Sequence, residues 1–387
     1  MVIYIHIPFC IRKCFYCDFL SGPADKATID NYVKALLNEI EYHGKKYGKQ
    51  GENTSISSIF FGGGTPSILE EMHIDSIMKK INETFNIEET AEVTIECNPG
   101  TASENKLRKY IELGINRLSI GLQSANDDEL KNIGRIHTYK EFLDVYQMAR
   151  KVGFRNINID LMSALPNQTL DSYRDTLDKI IKLKPEHISA YSLILEEGTC
   201  LFERIEKLEK EGMDTGLPDE ETERSMYYET KRILEENGYY RYEISNYAKK
   251  GYECKHNIAY WKRENYIGIG IGAASLIDGI RMKNISDINE YIEMEEEPNL
   301  CIETSETEVL TKEDKMAEFM FLGLRMVEGI LVSEFEEEFC EGFNTIYGGI
   351  TEKHIKDGLL VKNGENIRLT ELGMDVSNVV MSSYILC

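Results

Sequence analysis

Residues 2–17 read VIYIHIPFCIRKCFYC and join a strand-like apolar run to three closely spaced cysteines. Val2–Ile7 is rich in β-branched side chains, which predicts a buried strand. Directly after it, Cys10, Cys14 and Cys17 follow the spacing C-x3-C-x2-C. Three thiolates on one short loop can bind three irons of a [4Fe–4S] cluster and leave the fourth iron without a protein ligand. The spacing therefore predicts an iron–sulfur site.

A structural zinc site fits these cysteines less well. Zinc normally takes four ligands from two separated pairs, whereas the next cysteine in this chain is Cys97. Four aromatic residues are expected to shield the iron–sulfur site from water: Phe9, Phe15, Tyr16 and Phe19.

Around this segment, the first half of the chain alternates strand-like runs with amphipathic stretches. The strand-like runs are Val2–Ile7, Ile56–Phe61, Ala91–Glu96, Asn116–Gly121, Asn156–Leu161 and His187–Leu193. The helical patterns between them are Ile29–Tyr47, Met72–Phe85, Glu104–Leu113, Tyr139–Val152 and Ser172–Leu183. Repeated strand–helix units imply a parallel sheet whose helices cover its outer face. We predict an α/β fold with an open, partial (β/α)6 TIM-like barrel.

The second half predicts an α+β extension and a C-terminal winged-helix-like domain. We place the core at 1–235, the extension at 236–300 and the C-terminal domain at 301–387. An acidic stretch without apolar periodicity, Met294–Thr307, predicts a linker. The C-terminal domain is expected to hold helices at Lys315–Val327, Val332–Phe339 and Tyr347–Asp357, a hairpin at Leu359–Leu369 and a final helix.

Charge and hydropathy narrow the function classes. The chain carries 44 Lys and Arg against 67 Asp and Glu, a net charge of −23, which disfavours binding to nucleic acid. It has no run of about 18 apolar residues, so we predict no transmembrane segment. The N-terminus has neither a basic region before its apolar part nor a cleavage site typical of signal peptides. We therefore expect a cytoplasmic protein with reduced cysteines.

The segment YIHIPFCIRKCFYCDF (residues 4–19) resembles the cluster loop of radical S-adenosylmethionine (SAM) proteins. Within that superfamily it is similar to the branch holding the oxygen-independent coproporphyrinogen III oxidase HemN and the haem chaperone HemW. The resemblance implies that the unique iron binds the amino and carboxylate groups of SAM. Reduction would then cleave SAM to a 5′-deoxyadenosyl radical.

Further candidate residues follow the ends of successive predicted strands. The run Gly62-Gly63-Gly64-Thr65-Pro66 follows the second strand, and glycines let the backbone approach a ligand closely. In a barrel, the carboxyl ends of the strands meet at one mouth. The resemblance implies that Tyr4, Gly63 and Glu96 contact the cluster-bound SAM. It also implies residues around a second SAM position: Tyr16, Gly64, Thr65, Gln123, Arg135 and Asp160.

Several features favour the HemW branch over HemN. Cys17 is followed by Asp18-Phe19, so the chain lacks the further cysteine of the HemN pattern CxxxCxxCxC. Cys10 lies close to the start, which leaves no room for a HemN-type N-terminal extension. The run His256-Asn257-x-x-Tyr260-Trp261 resembles the HNxxYW motif of HemW, which is associated with haem. EFMFLGLRMVEGI (residues 318–330) and the segment after it resemble the HemW C-terminal domain.

The haem residues have a structural alternative. Histidine is the commonest proximal haem ligand, and tyrosine or tryptophan can pack on a porphyrin face, which makes His256 and Tyr260 the candidate ligands. Alternatively, Trp261 anchors the core and His256 caps a helix. The sequence differs from HemW-like chains at one nearby position. Where those chains read GAHS, this chain has Ala274 in place of the histidine.

The leading hypothesis is a radical SAM protein that binds haem and delivers it to acceptor haem proteins. Whether it also turns SAM over as an enzyme stays open. The alternatives are a HemN-like oxidase that decarboxylates coproporphyrinogen III, and an iron–sulfur redox sensor acting through the winged-helix-like domain. The resemblance implies flavodoxin or ferredoxin as electron donor. A homodimer and a peripheral contact with a membrane stay open as well.

Overall fold

The computed structural model describes residues 1–294 and 307–385, and a large sheet forms the centre of this part of the chain. Its strands are β1 Val2–Ile7, β2 Ser55–Gly63, β3 Asn86–Cys97, β4 Arg117–Gln123, β5 Asn156–Ser163, β6 His187–Ser192, β7 Tyr240–Glu243, β8 Asn246–Ala248, β9 Tyr266–Ile269, β10 Ala274–Ile277, β11 Ile280–Lys283 and β12 Glu308–Val309. They lie in the order β12-β11-β10-β9-β1-β2-β3-β4-β5-β6-β8-β7. Strands β1 to β6 pair in parallel, which confirms the predicted barrel strands.

Strands from the predicted extension widen this sheet at both edges. β9 pairs in parallel with β1, and β10 to β12 continue that edge in antiparallel pairs. At the other edge, β8 pairs antiparallel with β6. Sequence patterns had not predicted a strand beside β1, since its four residues are interrupted by a glycine. The extension thus shares one hydrophobic core with the barrel, while the boundary at residue 235 stays a prediction.

Most helices of this part cover the outer face of the parallel strands, whereas the helix Lys255–Trp261 packs on their inner face against Ser58 and Phe60. Their bounds are α1 Lys26–Tyr47, α2 Glu71–Thr84, α3 Glu104–Glu112, α4 Asp127–Asn132, α5 Tyr139–Val152, α6 Leu170–Leu183, α7 Cys200–Lys210, α8 Glu220–Glu236, α9 Lys255–Trp261 and α10 Ile288–Glu293. Side-chain caps fix several of their ends: Thr138 and Glu141 form a capping box at the start of α5. Asp25 caps α1, which starts at Lys26, three residues before the predicted start.

The C-terminal part has its own core. Its elements are α11 Lys312–Gly323, β13 Ile330–Leu331, α12 Val332–Phe339, α13 Phe343–Ile346, α14 Gly348–Lys356, β14 Leu360–Asn363, β15 Asn366–Leu369, α15 Glu371–Asp375 and α16 Ser377–Ser382. The three strands form a small antiparallel sheet, as the predicted hairpin requires. Buried Phe335, Tyr347 and Tyr384 lie at the centre of this core. The predicted final helix is broken into α15 and α16.

Two further predictions concern the linker and transmembrane segments. The predicted linker lies, apart from its two end residues, outside the described residues. Within residues 1–294 and 307–385, no helix combines the length and the apolar character that crossing a membrane requires.

Candidate cofactor site

A cavity of about 530 Å³ opens at the carboxyl ends of the parallel strands. Most residues predicted for the cofactors line it: Cys10, Cys14, Tyr16, Cys17, Gly63, Gly64, Thr65, Glu96, Gln123, Arg135 and Asp160. They come from the loop after β1 and from the ends of β2, β3, β4 and β5. Parallel pairing brings these distant segments together, because it places every carboxyl end at the same edge of the sheet.

The cysteine loop is held in place by backbone hydrogen bonds. The Cys10 N–H donates to the Gly22 carbonyl at 2.9 Å, and the Phe15 N–H donates to the Ile133 carbonyl at 3.0 Å. The Arg12 guanidinium donates to the Gly134 carbonyl at 2.9 Å. These contacts pin both sides of the loop, so its three half-buried free thiols are fixed relative to the cavity.

Polar groups approach two of the three sulfurs. Cys10 Sγ lies 3.4 Å from Thr65 Oγ1. The Arg135 guanidinium donates to Cys14 Sγ at 3.7 Å and to Asn98 Oδ1 at 2.7 Å. The guanidinium therefore joins the cysteine loop to the segment that follows β3. Burial raises the pKa of the Cys17 thiol.

The expected aromatic shield is only partly present. Phe9 is buried in the hydrophobic core, where its ring packs edge-on against Tyr32 at 5.2 Å between centroids. Phe19 lines the cavity although it is 58% exposed, so its role in excluding water from the site stays a prediction. Phe15 packs across Gly134, and Tyr16 lines the cavity.

The glycine run after β2 forms a bare wall of the cavity. Gly63 has φ +107°, a left-handed conformation that favours glycine, and a Cβ there would lie 2.5 Å from the His6 ring. A Cβ on Gly64 would lie 2.7 Å from the Phe9 carbonyl oxygen. The Gly64 and Thr65 N–H groups donate to the Ile7 and Phe9 carbonyls, both at 2.8 Å. Larger residues would therefore separate this wall from the cysteine loop.

Two acidic side chains, Glu96 and Asp160, also line the cavity. Burial, together with the nearby Asp160 carboxylate, raises the pKa of Glu96 to about 8. Burial also raises the pKa of Asp160, which accepts hydrogen bonds from Asn158 Nδ2 at 2.7 Å and from Ser119 Oγ at 3.4 Å. Buried Arg117 partly offsets both shifts. An incoming cationic group would find two desolvated acceptors here.

Tyr4 and most of the HNxxYW residues lie outside this cavity. The Tyr4 hydroxyl lies 3.1 Å from His6 Nδ1. His256 is only 2% exposed, lies 2.7 Å by its Nδ1 from Ser58 Oγ and stacks on Phe60. Burial lowers the pKa of His256 to about 3. A role for His256 as haem ligand stays a prediction, and it would require this packing to open.

The motif helix α9 separates two cavities. Asn257 lines the cavity described above. Trp261 lines a second cavity of about 640 Å³, together with residues of the C-terminal part. The Arg325 guanidinium lies over the Trp261 ring, 4.2 Å from its centroid. Tyr260 packs edge-on between His256 and Tyr266.

Comparisons with known proteins agree with this arrangement. Two family models match the chain: the radical SAM superfamily over residues 4–180 and the HemN C-terminal domain over residues 310–376. A protein of Lactococcus lactis subsp. lactis (strain IL1403) named heme chaperone HemW is 37% identical, over 99% of this chain and 97% of its own length. A protein of the same name from Bacillus subtilis (strain 168) is 35% identical, over 99% of this chain and 98% of its own. The chain belongs to the HemW family of radical SAM proteins.

A solved structure shows the same fold. Coproporphyrinogen III oxidase (HemN) from Escherichia coli matches with a TM-score of 0.84, over 99% of this chain and 89% of that chain. At 23% identity, this likeness concerns the fold alone. It confirms the predicted radical SAM architecture with a C-terminal domain.

Membership of the radical SAM superfamily implies a [4Fe–4S] cluster and SAM, and the residues present fit both. The donor set is three free thiols on one pinned loop, facing a wall without side chains. Within the described ranges, no three His, Cys, Asp or Glu side chains converge closely enough to hold a single metal ion. A cluster does not need that convergence, because each thiolate binds a different iron.

Sequence reasoning missed part of the cavity wall. Asn98 lies just beyond the end of β3 and could have been found as one more polar residue at a strand end. Ser245 and Asn246 also line the cavity, and they arrive there because β8 folds back against β6. No local pattern in the sequence indicates that pairing.

Proposed function

We propose that this protein binds haem and delivers it to acceptor haem proteins. The observation that carries the proposal is the similarity to proteins named heme chaperone HemW, which extends over 99% of this chain. A shared radical SAM domain alone would not select this function, since folds host many activities. Similarity along nearly the full length of both chains includes the motif helix and the C-terminal part as well.

The HemN-like oxidase is the less favoured candidate. The structural match to HemN supports a common fold, and sequence identity with it is 23%. Asp18-Phe19 stands after Cys17, where a HemN-type chain has a further cysteine. This difference lies in the cofactor loop, on which the oxidase reaction would depend.

We further propose roles for the residues around the first cavity. Cys10, Cys14 and Cys17 would hold the cluster, which supplies one-electron chemistry when bound. The residues proposed for SAM are Tyr4, Tyr16, Gly63, Gly64, Thr65, Glu96, Gln123, Arg135 and Asp160. Arg135 would hold the cysteine loop against the ends of β3 and β4 through its bonds to Cys14, to Asn98 and to the Gly121 carbonyl. A flavodoxin or ferredoxin donor, a homodimer and a cytoplasmic location remain predictions.

Haem is proposed to bind at helix α9, with His256, Asn257, Tyr260 and Trp261 as the candidate residues. The second cavity supports this placement, because its volume of about 640 Å³ lies within the range of small-molecule sites. Its wall combines Trp261 and Phe319 with Lys262 and Arg263, which pair with Glu328 and Glu338 of the same wall. The flat apolar ring of a porphyrin suits the two aromatic side chains, and its anionic propionates would have to replace the glutamates as partners of the two cations.

The decisive experiment combines two anaerobic measurements on the cluster-loaded protein. We expect haem to bind, seen as a Soret band in a titration, and coproporphyrinogen III to remain unconsumed with SAM and reductant present. Consumption of coproporphyrinogen without haem binding would establish the oxidase instead.

Two variants then separate the candidate haem ligands. Tyr260→Phe removes the phenol oxygen, whereas His256→Gln keeps a group able to bond Ser58. A weakened Soret titration in one variant identifies its ligand, and cluster content measured in the same sample controls for damage elsewhere.

A further inference from the structure

A continuous line of buried hydrogen bonds runs from the first cavity to the start of helix α9. Asn158 Nδ2 donates to Asp160 Oδ1 at 2.7 Å, and Asn158 Oδ1 lies 2.6 Å from His187 Nδ1. On the other side of the ring, His187 Nε2 lies 2.9 Å from the Tyr242 hydroxyl. The Cys254 N–H donates to that hydroxyl at 3.2 Å. Cys254 is the residue immediately before α9.

The donors and acceptors along this line admit one arrangement of protons. The amide nitrogen of Asn158 donates to Asp160 and, at 2.7 Å, to Ser119 Oγ. The amide oxygen of Asn158 must therefore accept a hydrogen bond from His187 Nδ1–H. Burial lowers the pKa of His187 well below its usual value, which keeps the ring neutral. Its Nε2 is therefore an acceptor for the Tyr242 hydroxyl, whose oxygen in turn accepts from the Cys254 N–H.

At the far end of the line, Glu92 holds the start of helix α9 in place. Glu92, on β3, accepts from the N–H groups of Lys255 at 3.2 Å and His256 at 3.3 Å, and from the Cys254 thiol at 3.4 Å. These bonds occupy otherwise unpaired donors of the first helical turn. Tyr242 also packs in a small hydrophobic cluster with Cys254 and Trp261. The line thus contacts both ends of the motif helix.

Charge and burial make this line intolerant of rearrangement. His187 and Glu92 are each less than a tenth exposed, and so is Arg117, which lies near the carboxyl groups of Glu92 and Asp160. In a low-dielectric interior, an unpaired polar group is costly, so neighbouring hydrogen bonds hold or break together. A ligand that changes the position of Asp160 therefore acts on every later group in the line.

We propose that Asn158, His187 and Tyr242 are positioning residues that couple occupancy of the first cavity to the position of helix α9. Because α9 also bounds the second cavity through Trp261, SAM in the first cavity and haem at α9 would then alter each other's affinity. The link to haem rests on the proposed function. The link from the first cavity to α9 rests on the proposed placement of SAM beside Asp160 and not on the chaperone activity.

The test measures the affinity of the cluster-loaded protein for haem, with and without saturating SAM, by Soret titration. We expect SAM to tighten haem binding about fivefold, near the lower end of known allosteric couplings, and haem to tighten SAM binding by the same factor. Tyr242→Phe, which breaks the line, should reduce both factors to about one. A SAM effect that persists in full in Tyr242→Phe would overturn the proposal.

Matched variants exclude a general loss of stability. Tyr239→Phe also deletes a buried hydroxyl, one that donates to the Pro185 carbonyl at 2.8 Å outside the line, and should keep the fivefold effect. His187→Leu breaks the line at a second point. His187→Gln should restore the effect, because its amide can donate towards Asn158 and accept from Tyr242. Equal behaviour of the Leu and Gln variants would contradict the relay.

A second readout keeps the two proposals distinguishable. Trp261 is the only tryptophan in the chain and ends helix α9, so its fluorescence reports the surroundings of that helix. SAM should change this fluorescence in the wild type and in Tyr239→Phe, but not in Tyr242→Phe, at equal cluster content. A chain that binds no haem yet shows this pattern would refute the chaperone function and retain the coupling. Unchanged Trp261 fluorescence together with SAM-independent haem binding would refute the coupling alone.

Discussion

The Cys14 thiol occupies the middle of the cysteine loop and faces the Arg135 guanidinium. Cys14→Ala should abolish the absorbance of an anaerobically reconstituted [4Fe–4S] cluster, because one iron loses its only protein ligand. Cys340→Ala is the matched control, since that cysteine is free and lies on the exposed surface of the C-terminal part. Full cluster absorbance in the Cys14 variant would refute the ligand assignment.

Glu96 should make the stability of the cluster-free protein depend on pH. Its pKa is about 8 in the folded chain, mainly through burial, against about 4.3 for an unfolded glutamate. Between these values the folded state keeps a proton that the unfolded state has lost. The free energy of unfolding should therefore fall as pH rises from about 5 to 8, by up to about 1.4 kcal/mol per pH unit for this group.

The measurement for Glu96 is a series of denaturant titrations between pH 5 and 9. Glu96→Gln lacks the titrating proton, so the difference in unfolding free energy between wild type and variant should decrease over that range and level off above pH 8. Comparing the two proteins removes the contribution of buried acids that do not interact with Glu96. Parallel curves would show that Glu96 ionises normally.

At the scale of single elements, periodicity predicted the barrel well. β1 matches its predicted bounds, and the other parallel strands differ mainly at their ends, where loops complete the hydrogen bonding. Helix α4, by contrast, is six residues long and was not predicted, because so short a segment shows less than two turns of apolar periodicity. The residues of helix α9 were recognised as a motif but not predicted as a helix. No residue of the helix caps its start, and Glu92 accepts hydrogen bonds from its first turn instead.

At the scale of the whole molecule, ion pairs join the sheet to the C-terminal part. The arginines involved all precede residue 294 and their acidic partners all follow residue 307: Arg224–Asp375, Arg241–Glu371, Arg263–Glu338 and Arg281–Glu318. The Arg241 side chain is the most buried of the four, at 2% exposure, and pairs with Glu371 at 2.8 Å. Water and salt therefore reach this guanidinium less than the other three, although its partner Glu371 is 54% exposed.

Removing this buried cation should destabilise the protein measurably. We expect Arg241→Ala to lower the free energy of unfolding by about 1.5–3 kcal/mol, since the charged hydrogen bonds from its buried guanidinium to Glu371 and to the Tyr227 hydroxyl are lost. Arg232→Ala should cost no more than about 1 kcal/mol, because Arg232 is 51% exposed and pairs only within α8. Denaturant titration of both variants checks the difference, and equal losses would contradict the role of Arg241 in joining the two parts.

The sequence alone determined the features that depend on neighbouring residues. The spacing of Cys10, Cys14 and Cys17 and the alternation of strand and helix patterns were enough to place most of the first cavity, because parallel strands bring their carboxyl ends together. The tertiary structure decided what depends on contacts between distant segments. Glu92 caps a helix that starts more than 160 residues later, β8 carries Asn246 to the cavity, and His256 points into the core. Local patterns report burial and period, but they do not specify which buried surfaces meet.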